Sequence, residues 1–422
     1  MNTRTLSTQI YQTILSGNAD SRFDAISDPQ ERAFAKKLIF TALRKQTFLK
    51  KVIGRYSSKQ LPPKLSIEQI ALILGATEIL YLHTPQYAVV SSYVDIAKKL
   101  GNKYAGGFVN AVLRKICQDA DTIRQASNVP FFSKNFRRIL QPDYTAKQIA
   151  AIEKYAALEP PLDLTIKSEP AHWAEILGGK LMPNNSVRLY SAGAVSQLSG
   201  YQEGAWWVQD FASSLAVTAL GNIKGKNVLD LCAAPGGKTA QLINAGATVT
   251  AVDISAPRLQ TLKENLARLK FKAKNIICSD AINYLQNNNE NFDIIILDAP
   301  CSASGTLRRH PEIVHTKTPE DVVQSVKLQQ QMLSATASHL KKGGILLYSV
   351  CSLSKNEGER QVANFIDANP EFKIVPITSA VLFNSNILPE IITPEGFIRC
   401  LPSILGTEGG MDGFFIAVLQ KE

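Results

Sequence analysis

Five short apolar runs in the second half of the chain constrain its fold more than any other feature. They are NVLDLCA (227–233), TVTAVDI (248–254), NIICSD (275–280), FDIIILDAP (292–300) and GILLYSVCS (344–352), with helical stretches between them. Runs this short and this apolar suit strands buried on both faces, and strands alternating with helices predict βαβ units around a mostly parallel sheet. GFIRCLP (396–402) and GFFIAVLQ (413–420) flank a Gly-rich turn and predict an antiparallel hairpin closing the sheet edge. Residues 209–422 therefore read as a doubly wound α/β domain. Ligands of such sheets bind beyond the carboxyl ends of the strands, so the residues just after each run are where function is expected.

The front of the chain follows a different rule. Residues 1–128 carry no period-2 pattern and read as an all-α domain. Asp28-Pro29 is a helix start, Ser66 and Gln69 form a capping-box pattern, Pro85 interrupts, and Gly106-Gly107 is expected to break the chain before FVNAVLRKIC. Residues 129–208 read as a helical linker with a small α+β insert, including strands at Leu162–Ile166 and in SVRLY. Charge divides the same way. Residues 1–150 hold 22 basic and 10 acidic side chains, a balance of +12, whereas residues 151–422 hold 24 and 26, a balance of −2. A basic folded segment on a near-neutral body suggests a polyanionic partner, nucleic acid being the usual one; a solvated helical face is the plain alternative. Lys36, Lys37, Arg44, Lys45, Lys50 and Lys51 mark that surface.

Other classes are disfavoured. The six cysteines (117, 232, 278, 301, 351 and 400) form no CxxC pair and no Cys/His cluster, which argues against a zinc site or a disulfide framework, and no metal is expected. Dispersed thiols fit a reducing cytoplasm. The N-terminus lacks a signal-type apolar core, and no apolar stretch reaches the roughly 18 residues of a membrane span.

At the end of the first run stands AAPGGKT. Gly236 and Gly237 permit a sharp turn that brings backbone amides close to a ligand, although a plain tight turn fits the glycines equally well. Cys232 occupies the position where a Walker loop needs glycine, and GxGxxG is absent, so neither a nucleoside triphosphate nor a nicotinamide dinucleotide is favoured. The second run ends in Asp253, suited to ribose hydroxyls, and the third in Asp280, near where an adenine edge would lie. Each alone could cap a helix. Together, in register with one glycine turn, they point to an adenosine ligand without a diphosphate. The fourth run ends in Asp298, Pro300 and Cys301, and the fifth in Cys351. If those two strands flank the first, both thiols reach one cleft. Cys117, Cys278 and Cys400, and with less force Cys232, read as buried small hydrophobes.

These residues carry a resemblance. LCAAPGGKT, the Val-Asp pair, LDAPCSASG, RRHPE and the Tyr-x-x-Cys-Ser segment resemble the RNA (cytosine-5) methyltransferases of the NOL1/Nop2/Sun family, and GGFVNAVLRK with the basic helices resembles NusB. The likeness is closest over 205–420, looser over 1–125 and faint in the connector. It implies a Rossmann-like class I methyltransferase domain behind a NusB-like domain, S-adenosylmethionine as cofactor, and small-subunit (16S) rRNA as substrate, with no obligate protein partner. It assigns Cys351 as nucleophile, Cys301 to product release and Asp298 to the cytosine ring. Cys232, Ala233, Ala234, Pro235, Gly236, Gly237, Lys238, Asp253, Asp280 and Asp298 are the implied cofactor site. Arg308, Arg309 and His310 are candidates for RNA phosphates, with Lys36, Lys37, Arg44 and Lys45 on the front domain. Val350 stands where relatives usually have Thr, and Leu162–Ile166 lacks an Arg common there. The alternatives are a tRNA cytosine-5 methyltransferase and a non-catalytic NusB-like RNA-binding or antitermination factor.

Overall fold

The computed structural model describes residues 2–17, 23–57, 65–102, 104–126, 130–383 and 388–422. The chain divides into two compact units, one of residues 1–137 with 310–317, the other of residues 138–309 with 318–422. The expected boundary after residue 128 falls outside the described residues.

The first unit is helical: α1 (Thr3–Leu15), α2 (Pro29–Tyr56), α3 (Ile67–Thr77), α4 (Gln86–Leu100), α5 (Ala105–Gln118) and α6 (Ala120–Gln125). Local chemistry sets its ends. The Asp28 carboxylate accepts from the Glu31 amide at 2.8 Å with Pro29 in the first turn of α2, and Ser66 with Gln69 makes a capping box on α3. Helical spacing places Leu38, Ile39, Leu43, Ile53, Leu72, Ile73, Tyr93 and Leu113 in one core. Gly106 and Gly107 correct an expectation, because they lie inside α5 rather than before it. A Cβ on Gly106 would sit 2.4 Å from Lys98 Cε, so this glycine serves helix packing, and the break falls earlier, at Gly101. Residues 310–317 belong to this unit although they follow the fourth apolar run. His315 Nε2 pairs with the Leu43 carbonyl at 2.8 Å, and burial holds its imidazole down at about 4.

The second unit contains two sheets. The smaller has β1 (Leu162–Ile166), β2 (Lys180–Leu181), β3 (Val187–Leu189) and β4 (Trp206–Val208) in the order β2-β3-β1-β4, all antiparallel. A fully buried Arg188 forks onto Asp163 (2.6 and 2.7 Å) and donates to the carbonyls of Glu408 and Gly410. Residues 138–208 of the connector thereby pack as part of this unit, while those up to 137 belong to the first.

The larger sheet has β5 (Asn227–Leu231), β6 (Thr248–Asp253), β7 (Asn275–Cys278), β8 (Phe292–Asp298), β9 (Leu340–Val350), β10 (Phe372–Ile374), β11 (Ile398–Cys400) and β12 (Phe414–Lys421). Its order is β10-β12-β9-β8-β5-β6-β7, with β11 also paired to β12. The five strands from β9 to β7 are parallel, and β12 runs antiparallel to β9, β10 and β11. The apolar runs are buried on both faces as a parallel sheet demands: Val228, Ile294 and Ile296 pack on one side, Leu229, Leu231, Ile295 and Leu297 on the other. Each such burial contributes about 1.5–3 kcal/mol. One expectation is modified. β8 and β9 do not flank β5; both lie on the same side of it, β8 adjacent and β9 next. The two thiol-bearing loops are neighbours because their strands are.

Candidate active site

The carboxyl ends of β5, β8 and β9 open on a cavity of about 550 Å³, within the range of small-molecule pockets. The turn after β5 forms its floor. Cys232 has φ +60° and Gly236 φ +100°, and a Cβ on Gly236 would lie 2.8 Å from Leu262 Cγ. Only glycine meets both that backbone conformation and that close approach. Gly237 then begins the helix Gly237–Asn244, and Cys232 through Lys238 all line the cavity.

Asp253 and Asp280 stand at the ends of their strands but not on the cavity wall. Asp253 braces the turn: its carboxylate accepts from the amides of Ala234 (3.0 Å) and Ser255 (2.9 Å), while Arg258 donates to the Ala234 carbonyl. Each Asp253 oxygen keeps acceptor capacity beyond these bonds. Asp280 caps the helix Ala281–Gln286 through the Asn283 amide at 3.0 Å.

Lys238 is no surface lysine. It is 7% exposed, donates to Asp298 Oδ2 at 2.7 Å and to Ser213 at 3.2 Å, and lies 4.9 Å from the centre of the Phe414 ring. Asp298 also accepts from Ser349 Oγ at 2.8 Å. The same β9 end places Cys351 on the cavity wall, and Cys301 Sγ lies 3.4 Å from Cys351 Sγ. The hydrogen bond to Cys351, then burial, pushes the Cys301 thiol well above the ordinary thiol range.

Burial also pushes the thiols of Cys232 and Cys400 up, and Cys400 is fully buried. Cys117 is half-buried. Cys278 departs from expectation: it is exposed, because β7 is an edge strand.

The three residues after the first thiol loop separate. Arg308 is fully buried and pairs with Asp210 (3.2 Å), Asp412 (3.1 Å) and the Gly409 carbonyl (2.5 Å). A guanidinium enclosed by two carboxylates does not reach a phosphate, which corrects its expected role. Arg309 pairs with the same two carboxylates (2.8 and 3.1 Å) but keeps a quarter of its side chain exposed and lines the cavity. His310 lies in the helical unit, half-exposed beside Glu312. In that unit Lys36 and Lys37 are exposed, whereas Arg44 and Lys45 are half-buried with their charged heads over the rings of Phe40 and Tyr81.

Two buried acids went unnoticed in the sequence. Asp230 lines the cavity, accepts from Thr239 Oγ1 at 2.6 Å, and has no partner at Oδ1; burial pushes it up to about 7. Glu357 lies behind the thiols. Strand periodicity marks Asp230 only as an interior position, and an acid there is the signal that it touches something polar. Among the described residues no cluster of three or more His, Cys, Asp or Glu is arranged to hold a metal ion, and no helix is long and apolar enough to cross a membrane.

Residues 217–420 match the family model described as 16S rRNA methyltransferase RsmB/F, and residues 1–118 the NusB family model. The chain is 30% identical to ribosomal RNA small subunit methyltransferase B of Pasteurella multocida, over all of this chain and 96% of that one. It is 31% identical to the protein of the same name from Cronobacter sakazakii, over 94% and 92%. Among solved structures, PH0851 superposes with TM-score 0.75 at 22% identity over 100% of this chain and 99% of its own. NSun6 from Pyrococcus horikoshii superposes with TM-score 0.58 at 20% identity over 69% and 98%. Both share the fold.

Proposed function

Because this chain belongs to the small-subunit ribosomal RNA methyltransferase B family, we propose that it methylates C5 of a cytosine in 16S rRNA through a transient bond from Cys351 to C6 of that ring. One observation carries the reading: Cys351 lines a cavity that also holds Asp298 and Lys238, and the Cys301 sulfur, off that wall, lies 3.4 Å behind it.

S-adenosylmethionine, when bound, supplies an electrophilic methyl group on a positively charged sulfur. The residues fit it. The turn 232–238 lines the cavity, with the amides of Ala233, Ala234 and Gly236 already paired to hold its shape, Asp230 Oδ1 is a buried acceptor without a partner, and Asp253 and Asp280 stand at the next two strand ends.

The chain's own residues must activate the acceptor. C5 of cytosine is a poor nucleophile until a thiolate adds at C6 and pushes electron density onto it. Cys351 supplies that thiolate. The Lys238–Asp298 pair serves as the acid toward N3: the lysine ammonium passes a proton through the Asp298 carboxylate and regains it when the ring is released. Cys301 stays protonated chiefly because it shares a hydrogen bond with Cys351. Once Cys351 is bonded to carbon it is a thioether, and that cause is removed. Cys301 then gives its own proton to solvent, its thiolate takes the C5 proton, and Cys351 departs as the thiolate while the C5–C6 double bond re-forms. Exposed Lys36 and Lys37 contribute phosphate contacts from the helical unit. An unpaired or loop cytosine is the favoured target, since extruding a paired base costs about a few kcal/mol.

The test uses labelled S-adenosylmethionine and bulk rRNA. Cys351→Ala is expected to lose turnover and form no adduct. Cys301→Ala is expected to trap a protein–RNA adduct that survives denaturation. Exchanged phenotypes would reverse the two roles, and no adduct from either variant would remove the covalent route.

A further inference from the structure

Both cysteines are followed by serine, and both serines lead to the same carboxylate. Ser302 Oγ donates to Glu357 Oε2 at 2.6 Å and Ser352 Oγ to the same oxygen at 2.5 Å. The Ser302 amide donates to Glu357 Oε1 at 2.8 Å. Gln329 Nε2 donates to that oxygen at 3.1 Å and also to the Pro300 carbonyl at 2.9 Å, just ahead of Cys301. The Ser304 hydroxyl lies 3.0 Å from that of Ser302 and 3.1 Å from that of Ser352. Glu357, Gln329 and all three serines are buried, with at most a trace of exposure.

A carboxylate in such a place needs a reason. Enclosing an anion is costly unless donors surround it, and here four donors do. An apolar side chain would fill the volume without that cost, but it would leave the Ser302 amide without its acceptor, the hydroxyls of Ser302 and Ser352 with only each other and Ser304, and the residues next to the two sulfurs without their shared anchor. The loops are also joined by the Ala299 amide to the Ser349 carbonyl at 2.9 Å, the Gly305 amide to the Cys351 carbonyl at 3.0 Å, the Leu353 amide to Ser304 Oγ at 3.0 Å and the Ser302–Ser352 hydroxyl contact at 3.2 Å; of the ties made by side chains at the two residues next to the sulfurs, the shared carboxylate makes the shortest. A hydrogen bond tolerates only a few tenths of an ångström. One carboxylate holding the residue next to each sulfur therefore fixes the distance between the sulfurs.

We propose that Glu357 is the positioning residue of the two-thiol centre, setting the spacing of Cys301 and Cys351 through Ser302 and Ser352. This rests on the reading that both thiols serve one pyrimidine. Loss of the clamp lets the loops separate. Cys351 can still add to the ring, but Cys301 no longer stands where the adduct must be resolved. Truncating Glu357 is thus expected to resemble losing Cys301, although Glu357 touches neither sulfur nor substrate.

The variants are Glu357→Gln and the milder pair Ser302→Ala/Ser352→Ala, in the full chain. Phenylarsine oxide reports spacing independently of methylation: its arsenic forms two As–S bonds to adjacent thiols, and its oxygen leaves as water with both thiol protons. The wild type is expected to take up one equivalent, and Cys301→Ala to lose this. In both clamp variants arsenical affinity is expected to fall at least about tenfold while iodoacetamide still alkylates Cys351. The RNA adduct is expected to accumulate, with kcat down about 100-fold and KM for RNA within twofold. Where Glu357→Gln fails to fold, the serine pair supplies the same readouts. Unchanged arsenical affinity and adduct release in folded variants would overturn the proposal, leaving Glu357 a purely structural acid. Lost arsenical affinity together with no adduct from Cys301→Ala would sustain the clamp and sink the two-thiol chemistry.

Discussion

Replacing Asp230 with Asn isolates one ionisation in the cavity. Asp230 is fully buried, holds one hydroxyl and has a partnerless oxygen, so burial raises it from 3.8 to about 7. The sign follows from proton counting. Between those two values the folded chain binds a proton that the unfolded chain does not, so this group's stabilisation is complete below about pH 4 and is lost as pH rises through about 7. From pH 5 to pH 8 the loss is about two pH units' worth, on the order of 3 kcal/mol. Asn matches the protonated acid in shape and never ionises. The variant is therefore expected to melt near the wild type at pH 5 and above it at pH 8, by roughly 6–12 °C for a unit of this size. Calorimetry of both proteins across that range measures the difference, and effects of other groups cancel in the subtraction. A difference independent of pH would refute the reasoning, because it would mean Asp230 is charged throughout and finds a partner or solvent.

Three further outcomes are expected. Breaking the buried fork by Asp163→Ala leaves Arg188 enclosed without its carboxylate, and urea melts are expected to lose about 3–5 kcal/mol; a cost below about 1 kcal/mol would show that solvent reaches Arg188. Gly305→Ala would place its Cβ 1.9 Å from the Gly413 carbonyl oxygen, in a loop that joins the first thiol to β12. Its thermal transition is expected to fall by several degrees, and an unchanged melt would show that the loop yields freely. Charge reversal at Lys36 and Lys37 is expected to weaken RNA binding and to lower the salt slope of log affinity by about 0.7–0.9 for every phosphate left without a lysine; an unchanged slope would place the RNA elsewhere.

Much of the site was legible because its signals are local. A glycine turn after an apolar run and the cysteine after the fifth run are short patterns and line the cavity, whereas the acids at the next two strand ends and the cysteine after the fourth run are equally short patterns that stand off its wall. Strand periodicity then carries them to one edge of the sheet, whichever strand order is adopted. The buried faces of β5, β8 and β9 follow from the same periodicity. Glu357 was not legible. An acid in a Lys-Asn-Glu-Gly turn looks solvated until two loops fold over it.

The sequence by itself determined the elements: helices in front, alternating strands and helices behind, and chemistry at the strand ends. Backbone preferences and apolar spacing act over a few residues, and nothing distant can alter them much. Only the tertiary structure decided which charges meet. Arg308 finds Asp412 across 104 positions and Asp210 across 98, which turns an apparent phosphate ligand into a buried strut. It also decided that residues 310–317 join the helical unit and that β8 and β9 lie side by side, bringing two sulfurs into contact across 50 residues. Those outcomes depend on strand order and on what desolvates each charge, and both arise when the chain closes on itself.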